Sequence, residues 1–244
     1  VMKTVLKTSA LALALAMTAS ACSGESSANG GQANGPVVAD TSQNWVETVE
    51  KTEEGGFRMG NPDAAIRIVE YGSLTCPHCA DFAEQSFNPL VENYISQGTV
   101  SFEMRNFVRD PLDLAAALLA RCNGAAPFFQ LNERLFANQA AMITQVQGAG
   151  EARLQQIAQS SDPVLGYAEA AGLIPLVGGM GISETQARQC LADQDLVGEL
   201  ETLRNTALSE YNLSGTPTFL INGQVASGVV TWPQLEARIQ EMVQ

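Results

Sequence analysis

The sequence predicts an α/β fold in which a central sheet is interrupted by an inserted all-helical domain, and three observations carry that prediction. A strand, a helix and a second strand succeed one another between Ala65 and Val108. A helical periodicity without strand signals then continues for roughly 100 residues. A hairpin and a terminal helix close the chain. Together they place a sheet domain at 44–109 and 206–244, with a helical insertion at 110–205 between its halves.

Each element has its own reason. "WVETVEKT", Trp45 to Thr52, reads as the start of an edge strand, and the turn-rich "EEGGFRMGNPDA" follows it. "AIRIVEY", Ala65 to Tyr71, is a short branched apolar run bounded by Asn61-Pro62-Asp63 and Gly72, as a buried central strand requires. Phe87, Leu90, Val91, Tyr94 and Ile95 then share one face of a helix that starts near Pro77. Pro77 suits the first turn, where its missing N–H would have no partner, whereas Pro89 should kink or end the helix. "TVSFEMRNFV", Thr99 to Val108, completes a βαβ unit.

In the insertion, "PLDLAAALLARC" aligns Leu114, Leu118 and Cys122 on one face, and Gly124 stands just past its end. "PFFQLNERLFANQ" is a second amphipathic helix, and "ISETQARQCLADQ" opens with the capping-box pair Ser183 and Gln186. A long helix to about Tyr211 leads into "GTPTFLINGQVASG", where Asn222-Gly223 between apolar runs signals a hairpin. A last helix from Thr231 is capped by Thr231 and Gln234.

The beginning of the sequence reads as an export signal over 1–21. Lys3 and Lys7 precede the apolar "ALALALAM", which is too short to span a bilayer. Cleavage after Ala21 would leave Cys22 first, the position at which a bacterial lipoprotein carries its lipid; ordinary signal cleavage fits the same residues. The small, polar residues of 22–43 are expected to form a flexible tether. The chain carries 26 acidic against 13 basic residues, and without Lys3 and Lys7 its only lysine is Lys51. That balance argues against nucleic acid as a partner and gives no basic run for anionic lipid.

Five cysteines carry the chemistry. In an exported protein cysteines can pair, and with Cys22 set aside four remain. Cys76 and Cys79 are close enough to pair with each other, which leaves Cys122 with Cys190 as a structural disulfide on apolar helix faces, the alternative being two unpaired buried cysteines. "CPHC" holds the only histidine, His78. Zinc would need four suitably spaced ligands, and Cys122 and Cys190 stand alone in helices, so no metal is expected. At a strand-to-helix junction the unpaired amides and the helix dipole stabilise a Cys76 thiolate, which makes the Cys76–Cys79 disulfide oxidising.

These residues resemble the DsbA-like thiol oxidases of the thioredoxin superfamily, whose hallmark is C-P-H-C after a strand. Glu70, six residues before Cys76, stands where that family has a buried carboxylate, and "SGTPTF" resembles its cis-proline segment. The helical insertion also matches, and a second cysteine pair resembles a subgroup. The resemblance implies a thioredoxin-like sheet and a redox pair in which Cys76 is exposed and Cys79 buried. It implies that Pro77 and His78 tune the thiolate, that Glu70 moves protons, and that Thr216 and cis-Pro217 meet an extended substrate. It also implies work in the bacterial periplasm or cell envelope on reduced exported proteins, with recycling by a quinone-linked membrane oxidase. No cofactor is expected, since thiol–disulfide exchange needs none. The alternatives are a disulfide isomerase or reductase, and a non-catalytic binding lipoprotein on the same fold.

Overall fold

In a computed structural model the described residues are 37–243. The expected signal segment, Cys22 and the tether as far as residue 36 lie outside them. No helix among the described residues is long and apolar enough to cross a membrane.

Six strands form one sheet: β1 (Val49–Lys51), β2 (Phe57–Gly60), β3 (Ile66–Gly72), β4 (Val100–Asn106), β5 (Thr218–Ile221) and β6 (Gln224–Val225). Their spatial order is β1-β2-β4-β3-β5-β6. Only β3 and β4 run parallel, joined through α1 (Pro77–Leu90); the other neighbours are antiparallel. Central position explains the apolar run read in the sequence, because β3 is buried at every residue but Arg67 and β4 throughout. Asn222 and Gly223 both take positive φ, 49° and 83°, and so make the tight turn between β5 and β6.

Between β4 and β5 lie eight helices: α2 (Pro111–Arg121), α3 (Phe128–Ala137), α4 (Gln139–Gly148), α5 (Glu151–Ala158), α6 (Pro163–Ala170), α7 (Leu173–Gly178), α8 (Glu184–Leu191) and α9 (Gln194–Glu210). The closing helix is α10 (Trp232–Val243). The architecture is therefore α/β with a sheet interrupted by a helical insertion. One core joins the two parts, in which Phe57 of β2 stacks on Phe128 of α3 with ring centroids 4.2 Å apart.

Several local expectations change. The expected edge strand forms only at Val49–Lys51; Trp45 starts a 3₁₀ turn, Trp45–Glu47, because its indole turns inward and donates to the carbonyl of Asp40. The same contact, with Asp40 N–H donating to Gln97 O at 2.8 Å, fastens the last part of the expected tether to the domain. Pro89 ends α1 at Leu90, and a π-helical turn, Val91–Ile95, continues the chain. The run Ala115–Ala120 of α2 is buried on every side, so this helix is the centre of the insertion and has no solvent face there. The expected boundary at 206 falls inside α9. Leu200 and Leu203 of that helix join the main core while Ala207 packs with Val69, Tyr71 and Leu220 on the opposite sheet face.

Candidate redox site

Cys76 is the N-cap of α1 and Pro77 its first helical residue. An N-cap residue keeps an extended backbone, here φ −90° and ψ 119°, and the amides of the first turn point back past its side chain. In the structure Cys76 and Cys79 are both free thiols. The Cys76 thiol is lowered to about 5, first by a hydrogen bond from Cys79, against burial, and then by Thr216 and the main-chain N–H groups of Cys79 and His78. Cys79 is pushed the other way, well above the usual 9.0, by burial, by its hydrogen bond to Cys76 and by the charge of Glu70.

Two expectations about this turn are corrected. Cys76 is not openly exposed: it is 3% accessible against 0% for Cys79, because the segment before Pro217 closes over it. Its Sγ lies 3.2 Å from the carbonyl oxygen of Thr216, to which the thiol donates. His78 contributes its main-chain N–H, while its imidazole, 80% exposed, turns to solvent with Nδ1 4.0 Å from Asp81 Oδ2.

The Thr216–Pro217 peptide is cis. Thr216 Oγ1 is buried without a partner in the thiol form, and its hydroxyl is a donor for the thiolate. Beside it a groove of about 430 Å³ is lined by His78, Phe82, Gln85, Pro217, Val230 and Trp232. Its walls are mostly apolar, and Val230 is 48% exposed.

Glu70 sits on β3, paired with Met104 and Phe219 on the flanking strands. Strand alternation sends it to the same face as Ile66 and Ile68, into the main core, where it is 3% accessible. Oε1 has no hydrogen-bond partner. Burial, then the charges of Glu133 and Cys76, push its carboxyl well above the ordinary 4.5.

Three further side chains reach this neighbourhood. Glu133 of α3, raised to about 8 by burial, lines a cavity of about 250 Å³ with Ala80, Ala83 and Phe136. Asp113 of α2 accepts from Ser73 Oγ at 2.6 Å, Leu74 N at 2.8 Å and Arg109 N at 2.9 Å. Burial pushes its carboxyl up to about 7 in spite of these donors. Gln139 opens α4. A polar residue three places into a helix after Asp110-Pro111 is a weak signal for Asp113, but no local pattern singles out Glu133 or Gln139.

Cys122 and Cys190 stand elsewhere, bonded to each other with Cα atoms 5.5 Å apart, and tie the end of α2 to α8. Both are only partly buried, not sunk in apolar faces, because each lies at the margin of its helix packing.

A family model described as Thioredoxin matches residues 52–241. The chain is 30% identical over 173 residues to a Rickettsia bellii protein provisionally named a protein-disulfide oxidoreductase. That match covers 71% of this chain and 59% of the relative, so the chain spans under two thirds of the curated relative's length. A crystal structure of a protein-disulfide isomerase from Novosphingobium aromaticivorans superposes with a TM-score of 0.73 at 31% identity. It covers 77% of this chain and 96% of that one. Wolbachia pipientis alpha-DsbA1 has a TM-score of 0.60 at 22% identity, covering 76% and 89%, a likeness of fold.

Proposed function

The chain belongs to the thioredoxin family described by that model, and from that premise we propose that it is a protein thiol:disulfide oxidoreductase acting as an oxidase. The observation that carries the reading is the asymmetry of one helical turn. A thiol held at the N-terminus of α1, beside the Thr216 carbonyl and a groove, faces a second thiol that is fully buried. One sulfur is thereby a stable thiolate and the other a reluctant one.

Exchange starts from the Cys76–Cys79 disulfide. A substrate thiolate attacks Cys76 Sγ, the bond between the two cysteines breaks, and the electron pair leaves on Cys79. That sulfur takes up a proton, for which the protonated carboxyl of Glu70 is the nearby source. A second substrate thiolate then attacks the substrate sulfur of the mixed disulfide, and Cys76 departs as a thiolate. Two substrate thiols are oxidised to one disulfide and the cysteine pair is reduced by two electrons. The stability of the Cys76 thiolate drives the last step forward.

In this reading His78 supports the thiolate through its N–H, and Pro77 holds the first turn. Thr216 and Pro217 border the groove that receives an extended peptide. The substrates are reduced proteins of the bacterial cell envelope, a quinone-linked membrane oxidase reoxidises the pair, and Cys22 carries a lipid or begins a soluble form. Cys122–Cys190 is the structural disulfide, and the sheet with α1 and α10 forms the catalytic domain, into which the helices from α2 to α9 are inserted, α9 packing on both.

Isomerisation is the second reading, favoured by the likeness to the Novosphingobium protein-disulfide isomerase. The deciding experiment incubates the oxidised chain with a reduced two-cysteine peptide and, separately, with a scrambled-disulfide protein. Fast peptide oxidation and an oxidising potential against glutathione support the oxidase. A strongly reducing potential with efficient unscrambling would replace it by the isomerase.

A further inference from the structure

The turn that delivers Cys76 is held from outside its own domain. Gln139, 5% accessible at the start of α4, points its amide at the backbone of this turn. Its Nε2 donates to Leu74 O at 3.0 Å and to Cys76 O at 2.9 Å, which occupies both amide hydrogens. The Cys76 carbonyl already accepts from the N–H groups of Cys79 and Ala80 at 3.1 and 3.2 Å. From the opposite side Asp113 accepts from Leu74 N and Ser73 Oγ, and Thr75 Oγ1 donates to Asp110 Oδ2 at 2.6 Å. The carbonyl and the amide of Leu74 are thus both taken by side chains of inserted helices.

We propose that Gln139 is a positioning residue for the Cys76 thiolate, through which the helical insertion sets the reactivity of the redox turn. The physical reason is directional. The thiolate is stabilised by N–H groups of residues 78 and 79, whose aim at Cys76 Sγ depends on the peptide planes just before α1. Gln139 fixes two of those planes, at Leu74 and Cys76. It also sets the positive end of an amide dipole against two carbonyl oxygens, that of Leu74, which accepts from Gln139, and that of Cys76, which also accepts from two main-chain N–H groups. Buried carbonyls that lose a donor rotate to find another, and the N–H groups rotate with them.

The titratable groups around Cys76 are Cys79 and His78 on α1 and Glu70 on β3, with Glu133 of α3 beyond Glu70 and Asp110 and Asp113 below the turn. None of them is altered by changing Gln139. A shift in the Cys76 midpoint on substitution by an uncharged residue therefore reports the turn itself.

The inference rests on the oxidoreductase reading for its purpose but not for its test. The reduced full chain is titrated by ultraviolet thiolate absorbance and by the pH dependence of alkylation, neither of which needs a substrate. Gln139→Met, similar in volume but without donors, should raise the Cys76 midpoint by about one unit, about tenfold less thiolate at any pH below it. Gln139→Glu, which turns a donor into an acceptor and adds a carboxylate beside the turn, should raise it further, the uncharged Gln139→Met being the variant that isolates the lost donor. The difference in melting temperature between disulfide and dithiol forms should shrink in step. Equal loss of melting temperature in both forms with an unmoved midpoint would mean a packing role only and overturn the proposal. In the wild type, the side-chain amide protons of Gln139 should shift with the Cys76 midpoint in NMR spectra; resonances flat across the titration would overturn it even if neither variant folds. A wild-type chain that titrates as described but oxidises no peptide would refute the proposed function and leave this inference standing.

Discussion

Cys76 and Cys79 occupy adjacent corners of one helical turn, yet their environments pull them apart: the first meets N–H donors and the second is buried in the field of Glu70. Cys76→Ser should therefore abolish peptide oxidation, while Cys79→Ser should trap a mixed disulfide that is visible on non-reducing gels. The lowered Cys76 value has a thermodynamic consequence. Its contribution to the reduced form is complete above the ordinary thiol value of 9.0 and is lost as pH falls through about 5. Urea melts of the reduced and oxidised chain should differ more at neutral than at acidic pH, the reduced form being favoured. Glu70 works in the other direction. Its raised carboxyl keeps a proton that the unfolded chain releases near 4.5, so its contribution is complete below that pH and is lost as pH rises. Glu70→Gln should flatten this decline and leave the protein more stable than wild type in mildly alkaline buffer. A residual slope remains from Asp113, at about 7, and Glu133, at about 8. Cys76 and Cys79 were legible in the sequence because they stand together in one turn, whereas Glu70 was legible only through the family resemblance, since nothing local distinguishes it from an exposed strand residue. Glu133, Asp113 and Gln139 were not, because they reach the site from helices more than thirty residues away along the chain.

At the scale of elements, the sequence read best where the signal was local. The capping box at Ser183 and Gln186 forms with both of its hydrogen bonds, and the hairpin turns at Asn222-Gly223. The β3-α1-β4 unit begins and ends within two residues of its sequence pattern. Trp45 misled because aromatic and branched residues favour strands on average, whereas this indole is used to bury itself against Asp40 and Gly98. α9 misled for a different reason. A helix long enough to reach two cores leaves no composition break to mark a boundary. The Cys122–Cys190 bond closes a separation of 68 residues between α2 and α8. Replacing both cysteines by alanine should cost about 2 to 4 kcal/mol in urea melts. The Cys76 titration should stay in place, because the redox turn is held by the starts of α2 and α4 and not by the end of α2.

At the scale of the whole molecule, the sequence carries a net charge of −13, while the groove's own lining is mostly apolar. Such a field steers oppositely charged partners, so oxidation of a basic peptide should slow as salt rises while that of an acidic peptide speeds up. Stopped-flow rates at two ionic strengths check this, and equal salt responses for both peptides would refute it. The sequence by itself determined the layout: that β3, β4 and the closing hairpin become sheet, that a helical block divides them, and that two cysteines and a proline start α1; β2, Phe57–Gly60, lay in a stretch read as turn, because its pairing with β1 and β4 is what makes it a strand. Those features follow from periodicities and backbone preferences that act over a few residues. Only the tertiary structure decided what surrounds the sulfur. Cys76 is roofed by Thr216 and clamped through its carbonyl by Gln139, and Cys79 is darkened by Glu70, because packing the insertion against β3 and α1 brings together groups that no short window of sequence contains. Reactivity here depends on hydrogen-bond directions and burial, and these are properties of the assembled core.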